Sequence, residues 1–250
     1  MKFTPAKTLA LVALALPMIA SAQVTANVSL TSNYKFRGQD QEQSRTSTFK
    51  PALQGGFDYA HESGFYVGNW NSSVSWGNAT LESDIYGGYK FKLGAFDADV
   101  GVLAYIYPGA TANNVTELYG ALTYGPFTAK YSHTVSKDYF NLAGAKGGSG
   151  LSGRGTGYFN FAYAQEVAPK TTLKASLGYT RLTSDIRTLA ATTYPNYWDY
   201  SVGAAYDLGN GFSLSGAFVG ANKKTSYTYG VDASKSINKN TLVVTLTKSM

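Results

Sequence analysis

Apolar and polar residues alternate with period two along most of this chain. Between residues 24 and 37 the even positions read Val24, Ala26, Val28, Leu30, Ser32, Tyr34 and Phe36. The odd positions read Thr25, Asn27, Ser29, Thr31, Asn33, Lys35 and Arg37. Successive side chains of a β-strand point to opposite sides, so this stretch makes one apolar face and one polar face. Helical spacing would scatter the same residues round a cylinder. The alternation returns in residues 49–59, 66–76, 81–92, 97–106, 117–124, 127–135, 159–167, 173–179, 198–208, 212–218 and 241–248. The pattern predicts an all-β chain of twelve strands, with ten or fourteen as alternatives.

The connections alternate too. Residues 61–64, 93–96, 125–126, 169–171 and 209–211 are tight turns, several marked by Gly, Pro or Asn-Gly. Residues 38–46, 108–115, 138–155, 183–196 and 222–240 are long and polar. Short turns at one end and long loops at the other are the stringing of a transmembrane antiparallel β-barrel in an outer membrane.

A two-layer sandwich also alternates, so charge and ring placement must separate the two. On the apolar faces the fixed charges are Arg181 and Lys248, both at strand ends. A charge at the bilayer midplane costs ~2–4 kcal/mol, which fits their absence from strand middles. Aromatic residues such as Tyr34, Phe36, Phe57, Tyr59, Trp76, Phe91, Tyr124, Phe127, Tyr179, Trp198 and Phe212 crowd the ends of these faces. That is the interfacial girdle of a membrane barrel. In residues 66–76 the apolar set is Tyr66, Trp70, Val74 and Trp76, opposed by Asn69, Asn71, Ser73 and Ser75.

Residues 1–22 stand apart. Lys2 and Lys7 precede an apolar run over 9–19 and a small-residue site at Ala20-Ser21-Ala22, the build of a secretory signal peptide. Cleavage there would leave residues 23–250 as one barrel domain with 19 bases against 15 acids, a net +4. With no cysteine, the exported chain is not a disulfide scaffold. Mean hydropathy of −0.16 excludes a helical membrane bundle but suits a barrel, which shows lipid only half its side chains.

The run Ser32-Asn33-Tyr34-Lys35-Phe36-Arg37-Gly38, followed by Gln41, resembles the opening signature of the proteobacterial TorF-like porins. Gln54-Gly-Gly-Phe-Asp58, His61-Glu-Ser-Gly-Phe-Tyr-Val-Gly68 with Trp70, and Asp84-Ile-Tyr-Gly-Gly-Tyr89 are similar to its next segments. The resemblance is dense over residues 28–92 and thin after Lys137. It implies an outer-membrane barrel without an established substrate.

Polar faces should line the lumen, and the expected lining residues are Lys35, Arg37, Lys50, Asp58, Glu82, Asp84, Lys90, Asp99, Glu117 and Lys130. Opposed patches of charge would set a transverse field that filters small hydrophilic solutes. Across all polar faces seven bases meet nine acids, so no strong anion preference is expected. The same groups could instead pair off and plug the lumen, leaving a non-conducting barrel that acts through its loops. Cations on the long loops, Arg181 and Arg187 among them, are candidates for lipopolysaccharide phosphates.

Catalysis finds little support. His61 sits in a turn and His133 on an apolar face, neither with a carboxylate two residues away on its own face. No spacing suggests a metal, a cofactor or nucleic acid as partner. The spelling Gly148-Ser-Gly150-Leu-Ser-Gly153 neither follows a buried strand nor opens a helix, so it is a loop rather than a dinucleotide cradle. Outer-membrane lipid and diffusing solutes are the expected partners; subunit number is left open.

Overall fold

The computed structural model describes residues 23–144, 150–188 and 194–250. The expected signal peptide lies outside them, as do residues 148 and 149 of the glycine-rich spelling. Strands β1 (Gln23–Thr31), β4 (Ala52–Ala60), β5 (Phe65–Trp76), β6 (Ala79–Leu93), β7 (Phe96–Ile106) and β8 (Val115–Tyr124) form half of a wall. Strands β9 (Phe127–Thr134), β10 (Gly157–Ala168), β11 (Thr171–Arg181), β12 (Tyr197–Gly209), β13 (Phe212–Ala221) and β16 (Thr241–Ser249) form the rest. Each pairs antiparallel with its neighbours, and β1 joins β4 on one side and β16 on the other, closing a twelve-stranded barrel. Closure matters because a free sheet edge has no hydrogen-bond partners in hydrocarbon.

Outside the wall, the described residues form two small hairpins, β2 (Lys35–Phe36) with β3 (Gln39–Asp40) and β14 (Thr228–Tyr229) with β15 (Asp232–Ser236), a 3-10 turn (Thr111–Asn113) and a short α-helix, α1 (Ser184–Arg187). The tight turns alternate with longer connections as expected, except between β5 and β6, where Gly77 and Asn78 make a two-residue turn at the long-loop end. At the β12–β13 turn, Asn210 and Gly211 both take positive φ, which the Asn-Gly pair tolerates and most residues do not.

The outer surface is apolar. Val28, Leu30, Leu118, Leu122, Phe159, Leu177, Val202, Phe218 and Leu246 are all exposed on it, an arrangement that suits lipid and not water. Rings at both rims, including Tyr59, Tyr124, Phe127, Trp198 and Phe212, complete the girdles.

Two strand assignments change. The first strand does not run to Arg37. It ends at Thr31, and residues 32–42 fold inward, so Tyr34 is buried to 4% exposure and Phe36 packs with it, away from lipid. The chain reverses at Arg37 and Gly38, whose φ values are +46° and +77°. A Cβ at Gly38 would sit 2.6 Å from the Gly220 carbonyl and within 2.9 Å of the Asp199 and Ala221 side chains, so only glycine fits this tip.

In β5 the polarity is inverted. Tyr66, Trp70, Val74 and Trp76 point into the barrel, where Trp70 meets Tyr34 and Trp76 meets Tyr107. Trp76 therefore is no girdle residue. Asn69, Asn71 and Ser73 share the outward side with Phe65 and Val67.

Candidate functional site: the infolded hairpin and the lumen

The β2–β3 hairpin crosses the lumen near the long-loop end. On one side Tyr34 donates to Glu82 at 2.7 Å, and Tyr107 donates to the other oxygen of the same carboxylate at 2.7 Å. At the tip, Arg37 makes a two-pronged pair with Glu117 of β8 at 3.0 and 2.7 Å and donates to the Tyr139 hydroxyl at 2.9 Å. Planar forks of this kind are the strong form of the ion pair. The guanidinium also lies 4.1 Å from the centre of the Tyr158 ring, and Tyr158 donates to Asp199 of β12 at 3.1 Å. A continuous chain of contacts thus runs from β5 and β6, through the hairpin, to β10 and β12.

A layer of rings lies against that chain. Phe140, on the loop between β9 and β10, meets Phe36, Trp76, Tyr105, Tyr107 and Tyr139 with centroid distances of 4.7–6.2 Å. Leu182 and Ile186, at the start of the next loop and in α1, are buried in the same cluster. Thr183 caps α1 by accepting from the Ile186 amide, which fixes that helix over the ring layer.

The hairpin base is fastened by Asp40. Lys50 reaches its carboxylate at 2.8 Å, Lys35 at 2.9 Å and Lys239 at 3.7 Å, and Tyr229 donates to it as well. Lys35 also donates to the carbonyls of Gly38, Ile237 and Lys239, tying the first loop to the last. Burial is the dominant influence on Lys35 and outweighs the pull of Asp40; with Lys239 and Lys50 adding repulsion, its ammonium is pushed down to about 8.

The ten expected lining residues all face the interior, but in different settings. Lys35, Arg37 and Lys50 belong to the infolded loop rather than to wall strands. Glu82, Asp84 and Glu117 are buried beneath it. Asp58, Lys90, Asp99 and Lys130 stand nearer the short-turn end. There Tyr86 donates to Asp58 at 2.6 Å and Tyr66 donates to Asp99 at 2.6 Å. The Lys130 ammonium sits 3.9 Å from the Tyr119 ring centre and Lys90 4.8 Å from that of Tyr66. Arg181 and Arg187 are exposed at the long-loop end.

Residues missed from the sequence include Asp40, Tyr107, Tyr139, Tyr229 and Lys239. The Arg37-Gly38 pair was the available signal, since a left-handed turn there stops a strand. Among the described residues no group of His, Cys, Asp and Glu could hold a metal ion.

A closed antiparallel barrel with a greasy exterior and a polar, loop-constricted interior is the architecture of the outer-membrane porins. Solved structures agree on the fold. The NanC porin aligns at TM-score 0.55 and 10% identity, over 91% of this chain and 98% of its own. The KdgM porin aligns at TM-score 0.55 and 8% identity, over 92% and 99% respectively. KdgM in complex with disordered oligogalacturonate gives TM-score 0.53 at 9% identity, with the same coverage of 92% and 99%. No curated protein matches the chain.

Residues 18–250 match the family model described as bacterial protein of unknown function, Gcw_chp, and the chain belongs to that family. The resemblance to TorF-like porins is thus met at the level of a porin-like barrel, while the family that matches is Gcw_chp.

Proposed function

We propose that this chain is a porin-like channel of the outer membrane, held shut at its long-loop end by its own first loop. It passes small hydrophilic solutes when the hairpin withdraws. The observation that carries this reading is the Arg37–Glu117 fork, seated where the hairpin reaches across to the far wall. An ion pair spanning a lumen is a reversible fastening: it holds when dry and loosens when water or a charged solute competes for either partner. Below it, Ser176, Ser201, Ser213, Ser215, Thr245 and Thr247 are only half-buried and line a polar vestibule open to the short-turn end. With Lys35, Arg37 and Lys50 carried by the loop, the wall strands keep more acids than bases, so no preference for small anions is expected once the hairpin withdraws. On the outside, Arg181 and Arg187 are the side chains we assign to lipopolysaccharide phosphates.

Planar-bilayer recording tests the channel. The intact protein is expected to show rare, brief openings. Replacing residues 33–41 with a short Gly-Ser linker is expected to give a steady open conductance. If that variant folds, shown by heat-modifiable gel migration, and still passes no current, the channel reading falls. A second reading, a non-conducting barrel acting through its loops, is favoured by one observation: the ring layer around Phe140 is packed as a core. Silence from the linker variant would establish it.

A further inference from the structure

The inverted strand leaves an anomaly on the outer wall. Asn69, Asn71 and Ser73 occupy the middle of β5, with Asn71 six residues from Phe65 at one rim and five from Trp76 at the other. Their side chains point outward, between exposed Leu53 and Phe57 of β4 and exposed Leu81 and Ile85 of β6. That is the depth at which hydrocarbon is driest and offers no hydrogen bond.

The three side chains partly satisfy each other. The Asn69 amide donates to Ser83 Oγ at 3.3 Å and to the Asp84 carbonyl at 3.1 Å. Asn71 donates to Asn69 Oδ1 at 2.6 Å, and Ser73 Oγ accepts from the Leu53 amide at 3.1 Å. What is left over is an acceptor, Asn71 Oδ1, and a donor, the Ser73 hydroxyl proton; among the described residues neither has a partner. The row through Asn71 is flanked by small outward residues, Gly55 on β4 and Ser83 on β6. Leu53 and Phe57, 61% and 64% exposed, stand up on one side of this shallow polar saddle.

We propose that this face of β4, β5 and β6 is a subunit interface, and that its occupant is a second copy of this chain. Two copies inserted in the same orientation can be related only by an axis along the membrane normal, so residues near the axis meet their own counterparts at equal depth. A carboxamide carries both a donor and an acceptor, and a hydroxyl does too, so the patch is complementary to itself. Acyl chains are not complementary to it. Buried side-chain amides that pair across symmetry axes fix register and oligomer state in other settings for the same reason.

The absence of cysteine from the sequence makes the test clean. Ser73→Cys keeps both amides and changes one atom. Leu177→Cys places a thiol on β11, an exposed position on the opposite side of the barrel. In native outer membranes, an apolar short bis-maleimide is expected to link Ser73→Cys into a species of twice the monomer mass, many-fold more than Leu177→Cys. Adding Asn69→Leu and Asn71→Leu to Ser73→Cys is expected to abolish that species while leaving heat-modifiable folding intact. The proposal is overturned if both single variants link alike, if neither links, if Ser73→Cys links to a different polypeptide, or if the leucine variant still dimerises. Conductance plays no part in these outcomes, so they stand apart from the channel reading.

Discussion

The two ends of the lumen are built differently. At the long-loop end, the inward residues are buried round the whole circumference: Thr31, Ser72, Glu82, Tyr105, Glu117, Thr134, Thr180, Tyr197, Ala221 and Thr241. At the short-turn end most of their counterparts are half-exposed, among them Thr25, Asp58, Tyr86, Lys130, Ser176, Ser201, Ser215 and Thr247. Buried exceptions there include Ala121 and Ala162, and Asp99 and Tyr119, the last two held in the tyrosine cluster with Tyr66. The same strands supply both ends, so the wall does not make the difference. The loops do. A barrel of one diameter becomes a closed cup because its first, third and last long connections fold inward and bring rings and charges with them.

The largest expected effect on that contrast comes from Asp40→Asn. Three lysines converge on this carboxylate, and Lys35 and Lys50 are almost wholly buried. Removing one partner of a buried pair costs ~3–5 kcal/mol. The cost falls on loop docking, so trypsin should cut after Arg45 at much lower temperature while the barrel itself stays heat-stable.

Acidity should act next most strongly, through Lys35. Its folded value is about 8 against 10.5 when free. Below pH 8 both states are charged and the burial penalty is fully present. Between these two values the unfastened loop binds the proton that the docked loop has released, so docking strengthens as pH rises, by about 3 kcal/mol in all. The same protease assay on wild type and Lys35→Met, across that pH range, should show a clearly larger rise in wild type, the remainder in the variant coming from Lys239, whose ammonium burial also pushes down.

Tyr34→Phe removes one hydrogen bond to a buried carboxylate and leaves the ring contact with Trp70 in place. A loss of ~2 kcal/mol in docking is expected, read as an intermediate cleavage temperature. Arg45→Ala should do least. Its pair with Glu42 is exposed on the arginine side, and such pairs give ~0.2–1 kcal/mol. An effect as large as that of Asp40→Asn would mean the loop is held by its surface and not by its buried knot.

Most of the wall was legible because a strand with one lipid-facing side must alternate, and residues such as Leu118, Gly120, Leu122 and Tyr124 do so without interruption. What alternation does not reveal is which face is inside. In β6 the polar set Glu82, Asp84, Tyr86 and Lys90 points inward as expected. In β5 the aromatic set points inward, because the infolded loop gives the lumen an apolar layer of its own. The same cause hid the end of the first strand. Tyr34 and Phe36 continue the period of Val28 and Leu30, yet they serve the plug and not the membrane. The fastening at Asp40 was out of reach, since Lys239 lies almost two hundred residues further along the sequence.

Thiol labelling of the otherwise cysteine-free chain tests the closed cup most directly. In detergent micelles both ends of the barrel are open to a small polar maleimide. Ser215→Cys is expected to react quickly and Thr180→Cys slowly, with Thr180→Cys becoming fast once residues 33–41 are replaced by the linker. Equal fast rates in the intact protein would contradict a lumen shut at its long-loop end.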